Sequence, residues 1–224
     1  MQRRFVSDVS HELRTPLTTV RMAGDVLSDA GAAVLDLEDV NLVDVAHRVV
    51  ESTRALAKAR GTTVVVKGGP RPCVAEVDVR RVERIVRNLV TNAIDYADSK
   101  DVVVLLDSDD QAAALAVRDY GIGLKPGESV LVFNRFWRAD PARARTSGGT
   151  GLGLSISLED AHLHGGWLQA WGEPGHGTQF RLTLPRRAGD PIDRSPLPLV
   201  PADAASAQVG AGYARVDERR AGTP

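Results

Sequence analysis

The 224-residue chain has a single cysteine, Cys73. That excludes an internal disulfide framework and a zinc ribbon, and it points to a reducing compartment. No apolar run approaches the roughly 20 residues that a membrane helix requires, and no secretory leader pattern opens the chain. Net charge is −1, so no basic field argues for nucleic acid. A Walker-type phosphate loop is also missing, because the glycine-rich stretch near residue 150 lacks the lysine and hydroxyl that would follow it. Aromatic residues amount to only 4% of the chain. The 43% hydrophobic and 25% charged residues are ordinary for a soluble globular protein of one good domain or two small ones.

Three pieces follow one another. In residues 3–28, Phe5, Val9, Leu13, Leu17, Val20, Gly24 and Leu27 recur in steps of three and four, the stripe of one amphipathic helix that Gly31 ends. From residue 33 to 185, strand and helix signals alternate. Val64 to Val66, Val102 to Leu106, Ala114 to Arg118, Trp167 to Trp171 and Gln179 to Leu184 read as strands. Asn41 to Ala59, Val79 to Ala97 and Leu152 to His164 read as helices, with Asp78 as a candidate N-cap. Residues 186–224 hold five of the twelve prolines and no sustained period, so a disordered tail is expected.

Four segments carry candidate chemistry. "DVRRVERIVRNLVTNAIDYA" puts Arg84, Asn88, Asn92 and Asp95 on the helix side opposite its apolar face. Two asparagines one turn apart present hard amide oxygens that suit Mg²⁺ and the phosphates it bridges. Taken alone, a solvated helix face accounts for them better. "VRDYGIGL" ends a strand in Asp119; a carboxylate there can accept from an exocyclic amine such as that of adenine, and Gly121 and Gly123 would let the backbone approach a flat ring. A tight turn after a strand explains it equally well. "SGGTGLGL" opens a helix and would aim backbone amides and the helix dipole at an anion, or serve as a flexible loop. In "VFNRFWRAD", core anchorage is the favoured reading of Phe133, Phe136 and Trp137. The basic stretch from Arg138 to Gly149 reads as a lid over an anionic ligand.

The order of these segments is more specific than any one of them. A His-Glu-Leu-Arg-Thr-Pro helix, Asn-x-x-x-Asn, Asp-x-Gly-x-Gly, Phe-x-Arg-Phe and Gly-Thr-Gly-Leu-Gly-Leu resemble the sensor histidine kinases of two-component systems, in that family's order. The resemblance covers about residues 3–185 and is closest to an actinobacterial type. It implies an α/β fold class: an α+β sandwich of the Bergerat ATP-binding type, preceded by one long His-bearing helix. The implied domains are a dimerisation and histidine-phosphotransfer helix at 1–31, an ATP-binding domain at 32–185 and the tail at 186–224.

The resemblance also implies roles. His11, about 200° around its helix from Val9 and off the apolar stripe, would accept the γ-phosphoryl of ATP as a neutral imidazole. Alone it would read as an idle surface histidine. Glu12 would be its general base, and Thr15 would position water in a phosphatase step. Pro16 removes a backbone bond to Glu12 and kinks the helix there. Asn92 would hold Mg²⁺, with Asn88 supporting metal and phosphate, and Asp119 would bind adenine. Gly121, Gly123, Gly149, Thr150, Gly151, Leu152 and Gly153 would shape the pocket. The implied partner is a response regulator, phosphorylated on an aspartate. Localisation is expected to be cytoplasmic, in a family anchored to the membrane by upstream segments. A serine-directed anti-sigma-factor kinase uses a related ATP fold but has no need of the His-bearing helix.

Three departures stand out. Asp95 occupies a position that is often basic in the family, and an acid there repels a triphosphate unless Mg²⁺ or a lid arginine (Arg143 or Arg145) intervenes. Asn134 replaces the usual acid before Arg135, with little expected effect. The family's His domain is a helical hairpin, and two hairpins make a dimeric four-helix bundle. Here Gly31 leads directly into "AAVLDLEDVNLVDVAHRVV", which resembles the entry to the ATP-binding domain. Roughly thirty to forty residues, enough for a helix of ~50 Å, are expected to be missing, so the homodimer is in doubt and autophosphorylation is expected to be impaired.

Overall fold

A computed structural model describes residues 34–138 and 150–204. The expected His-bearing helix at 3–28, the lid residues 139–149 and the end of the tail, 205–224, lie outside the described residues.

Two strands of four residues, β1 (Glu38–Asn41) and β3 (Val74–Val77), pair antiparallel at the base. The main sheet has the order β2-β4-β5-β7-β6, with β2 (Val64–Gly68), β4 (Val102–Ser108), β5 (Ala112–Asp119), β6 (Trp167–Glu173) and β7 (Gly177–Pro185). The β2–β4 pair is parallel and the other pairs are antiparallel. The helices are α1 (Leu42–Ala59), α2 (Val79–Tyr96), a short α3 (Glu128–Leu131) and α4 (Gly153–Leu163). Within the described residues the expected strands and helices are all present, with ends shifted by a few residues. The sandwich is the expected Bergerat-type architecture.

Capping sets the helix starts. Asn41 Oδ1 accepts from the Val43 N–H at 3.2 Å, and Asp78 Oδ1 accepts from those of Arg80 and Arg81 at 3.0 and 3.2 Å. From α2, Val82, Ile85, Val86, Leu89, Val90, Ala93 and Ile94 are buried. Each aliphatic side chain so buried contributes roughly 1.5–3 kcal/mol. Opposite them, Ala113, Leu115 and Val117 of β5 and Phe180, Leu182 and Leu184 of β7 belong to the same core.

The tail expectation requires correction. Residues 186–204 are not a disordered extension; residues 194–204 lie across the back face of the sheet. The period-2 alternation of β7 puts Gln179, Arg181 and Thr183 on that face. Gln179 donates to the carbonyls of Pro198 and Leu199 at 3.0 and 2.9 Å, and Arg181 donates to that of Leu197 at 2.5 Å. Thr183 Oγ1 donates to Ser195 Oγ at 2.8 Å. Pro196, Pro198 and Pro201 have no N–H to give a strand ladder, so side chains reach out to the segment's carbonyls instead. The outward alanines of β5, Ala112, Ala114 and Ala116, are small enough to let it lie close, and all eight residues of that strand are buried.

Cys73 is buried, and burial pushes its thiol up to about 11. The expected outcome is that iodoacetamide leaves Cys73 unmodified at pH 8 in the folded chain and labels it once the chain is denatured, as read by mass spectrometry.

Candidate functional site

A cavity of about 210 Å³ opens between α2, the turn after β5, the start of α4 and the inner face of β7. It is walled by Asn88, Asn92, Asp95 and Tyr96 from α2, and by Asp119, Gly123 and Leu124 around the turn. Thr150, Gly151 and Gly153 close it at α4, and Thr178 and Phe180 form its floor. The structure thus brings Asn88, Asn92, Asp119, Gly123, Thr150, Gly151 and Gly153 into one place. Gly121 stands behind the wall, and Leu152 is the N-cap of α4. His11, Glu12, Thr15 and Gly149 lie outside the described residues.

The two walls are joined by a buried network. Asp160 of α4 is 2% exposed; its carboxylate accepts from Arg81 Nη1 at 3.0 Å and from Arg84 Nε and Nη2, each at 2.9 Å. His164 lies 2.7 Å from the Asp160 carbonyl through Nδ1, while its Nε2 accepts from the Asp78 N–H at 3.1 Å. That pair of bonds requires the neutral ring with its hydrogen on Nδ1. The same registry lets Asn88 spend both amide hydrogens on α4, on the Gly153 carbonyl and on Ser157 Oγ, each at 3.0 Å. A Cβ on Gly153 would sit 3.4 Å from the Asn88 side chain, in van der Waals contact.

The amide of Asn88 is thereby oriented, and its Oδ1 remains as an acceptor. Among the described residues no group of three or more His, Cys, Asp or Glu could hold a metal. A cation here would rely on amide oxygens and on the nucleotide's own phosphates, a donor set that suits Mg²⁺. At the start of α4 no side chain caps the helix, so its first amides and the positive end of its dipole face the cavity mouth.

Asp119 is 1% exposed, and its Oδ1 accepts from the Gly121 and Thr178 N–H groups at 3.0 and 3.2 Å. Its other oxygen is left to meet a donor in the cavity. Burial raises its carboxyl above the usual carboxylate range, against the two backbone bonds and the charge of Arg118. The turn itself admits only glycine. A Cβ on Gly121 would lie 1.7 Å from the Tyr96 carbonyl oxygen, and one on Gly123, whose φ is +73°, would lie 1.8 Å from that of Glu173.

Asp95 differs from expectation in its partner. Arg60, the C-cap of α1, forms an ion pair with it at 2.9 Å. Burial outweighs that ion pair and raises the Asp95 carboxyl. Arg143 and Arg145 lie outside the described residues. Arg84, placed on the asparagine side of the helix, serves the Asp160 network. The aromatic cluster divides. Phe133 packs edge-on against Phe180 with centroids 6.2 Å apart, whereas Trp137 lines the cavity. Phe136 departs from the core reading, being 71% exposed with a φ of +63°. Thr178 and Tyr96 were not anticipated from sequence; the Gly-Thr pair opening a strand was the available signal for Thr178.

A model of the histidine kinase-, DNA gyrase B- and HSP90-like ATPases matches residues 77–188. The chain belongs to that family. A model of the His Kinase A phospho-acceptor domain matches residues 1–58. Sensor histidine kinase MtrB of Mycobacterium tuberculosis (strain ATCC 25618 / H37Rv) is 48% identical over 238 residues, which take in 90% of this chain and 42% of MtrB. The chain therefore spans less than half the length of these relatives. Among solved structures, the mycobacterial sensor histidine kinase MprB matches with a TM-score of 0.58 at 30% identity, covering 68% of this chain and 99% of that one. Full-length ShkA in complex with AMPPNP shares the fold, with a TM-score of 0.64 at 24% identity over 80% of this chain and 40% of ShkA. The two family models, MtrB and MprB place the chain among the two-component sensor histidine kinases, with the likeness to the MtrB type extending over less than half of that protein. The ATPase domain implies use of ATP. Among the described residues, no helix is long and apolar enough to cross a membrane.

Two outcomes are expected. Asp160→Ala, which removes the buried carboxylate shared by Arg81 and Arg84, should lower the unfolding free energy by about 3 kcal/mol in a denaturant titration. Asp119→Asn should weaken ATP binding roughly 10- to 100-fold by calorimetry. In the parent chain, affinity should fall as pH drops through the raised Asp119 value, above the ordinary aspartate range. The sign for folding is opposite: a carboxyl raised in the fold contributes stability when protonated, and that contribution is lost as pH rises through the raised value.

Proposed function

We propose that the chain is the kinase core of an MtrB-type sensor, transferring the γ-phosphoryl of ATP to His11 and then to an aspartate of an MtrA-like response regulator. The observation that carries this reading is the meeting of Asp119, Asn88, Asn92 and Gly153 around one cavity. Asp119 accepts the adenine amine, Leu124 and Phe180 supply apolar contact for the ring, and the start of α4 receives phosphate. Asn92, with Asn88, holds Mg²⁺, which when bound neutralises phosphate charge. A neutral ring nitrogen of His11 attacks the γ-phosphorus. The bond to the bridging oxygen breaks, ADP leaves, and Glu12 takes the proton from the other ring nitrogen. Thr15 positions water in a separate phosphatase step, in which water attacks the regulator's aspartyl phosphate and inorganic phosphate leaves. Positioning and charge neutralisation supply most of the acceleration.

A second reading keeps nucleotide binding but loses most autophosphorylation. The 238 matched residues of MtrB correspond to 90% of this 224-residue chain, about 202 residues, so about 36 of its residues have no counterpart here. The phospho-acceptor match also runs on to residue 58, through most of α1. Yet Leu42, Val45, Ala46 and Val49 of α1 are fully buried in the ATP-domain core and cannot also face a dimer bundle. Both observations favour the loss of the hairpin's second helix, which would compromise dimerisation and the presentation of His11. The phospho-acceptor match speaks against a serine-directed anti-sigma-factor kinase.

Incubation with γ-labelled ATP and Mg²⁺ separates these readings. Acid-labile, base-stable label that vanishes in His11→Gln and in Asn92→Asp is the expected mark of the kinase. Nucleotide binding without label favours the second reading, and no nucleotide binding would sink both.

A further inference from the structure

A buried arginine behind the cavity has no part in the proposed reaction. Arg118 directly precedes Asp119 in β5, so its side chain lies on the opposite face of the sheet. It is 3% exposed. Its Nη1 donates to the carbonyl of Asp119 at 2.9 Å, and its Nη2 donates to the carbonyl of His176 at 2.7 Å and to the Asp203 carboxylate at 3.0 Å. The guanidinium carbon lies 4.6 Å from the ring centroid of Tyr120 and 5.1 Å from that of Trp171, close enough for a cation–π contact with each.

These bonds bear on the cavity along two short paths. One is the peptide of Asp119 itself. The other is the turn at His176, which leads into Gly177 and Thr178, and the Thr178 N–H bonds to the Asp119 carboxylate at 3.2 Å. At Gly177 a Cβ would fall 2.1 Å from the Asp119 carbonyl oxygen, so the two backbones touch there. One guanidinium therefore ties together both stretches of backbone that aim the carboxylate. Asp203 supplies its counter-charge, and it belongs to the segment laid over the back face, beyond residue 188 where the ATPase match ends. Without Asp203 the buried cation keeps two carbonyls and the charge of Asp119 across the sheet, but loses the carboxylate it bonds directly.

We propose that Arg118 is a positioning residue for the nucleotide site and that the C-terminal segment sets its position through Asp203. The inference rests on the reading of the cavity as an adenine-nucleotide site. Coupling of this kind is reciprocal: docked Asp203 favours nucleotide, and bound nucleotide favours docked Asp203. Asp193 offers a control, because it accepts from Gln111 at 3.2 Å in the same C-terminal stretch without touching Arg118.

The test titrates the full chain with a fluorescent ADP analogue and follows amide exchange with and without ADP. Asp203→Ala should weaken binding about fivefold or more, Asp203→Glu should recover most of the loss, and Asp193→Ala should leave affinity unchanged. In the unmutated chain, ADP should slow exchange at residues 199–204. The proposal is overturned by an Asp203→Ala chain that binds as tightly as its parent. It is equally overturned by an Asp193→Ala chain that loses as much, or by exchange at 199–204 that ADP leaves untouched. A parent chain that binds no ADP overturns the reading of the cavity itself, and the inference with it.

Discussion

The Asp160 carboxylate is the junction on which the cavity depends. It lies between two helices that no strand pairing connects, and three guanidinium N–H groups from Arg81 and Arg84 converge on it at 2.9–3.0 Å. A carboxylate so buried holds its charge only in good geometry, so the pairing fixes how α4 lies along α2. The neutral His164 bridges the same two helices one turn further on. With this registry in place, Asn88 reaches Gly153 and Ser157, and the asparagine side of α2 faces the uncapped start of α4. The orientation of the candidate site's asparagines and of the α4 amides is thus a consequence of a salt-bridge network set back from the cavity.

The second constraint is the two-sided burial of the central strands. Cavity and helices cover one face of β5 and β7, and the proline-rich C-terminal segment covers the other. Asp119 sits at the end of a strand buried on both sides, which is why its carboxyl is desolvated enough to be raised while still anchored by two backbone N–H groups. A carboxylate held this way has one oxygen engaged by the fold and one to offer. The arginine on its other side links this site to the segment at the back of the sheet.

Most of the fold was legible because its elements carry strong local signals: the apolar face of α2, the caps Asn41 and Asp78, and the alternation in β7. The β3 strand escaped notice because four residues after a proline and a cysteine leave no period to read. The tail was misjudged for a related reason. Prolines remove both periodicity and backbone donors, so its order comes from Gln179, Arg181 and Thr183, which are distant in sequence. The candidate site was legible through its motif order, with Asn88, Asn92, Asp119, Gly123, Gly151 and Gly153 brought together around the cavity. Thr178 was not, since its role is one backbone N–H, which any residue type could supply. Nor was Arg60, whose pairing with Asp95 depends on how α1 packs against α2.

The chain of residues by itself determined which side chains are suited to nucleotide chemistry, where helices and strands begin, and which family they resemble. These follow from short-range causes: side-chain chemistry, periodicity, capping and the room that glycine leaves. Tertiary structure alone decided which oxygen of Asp119 is engaged, which way the Asn88 amide faces and what neutralises Asp95. It also decided that a proline-rich segment lies ordered on the back of the sheet. Each of these depends on desolvation and on hydrogen-bond partners far apart in the chain, and neither exists until the layers have packed.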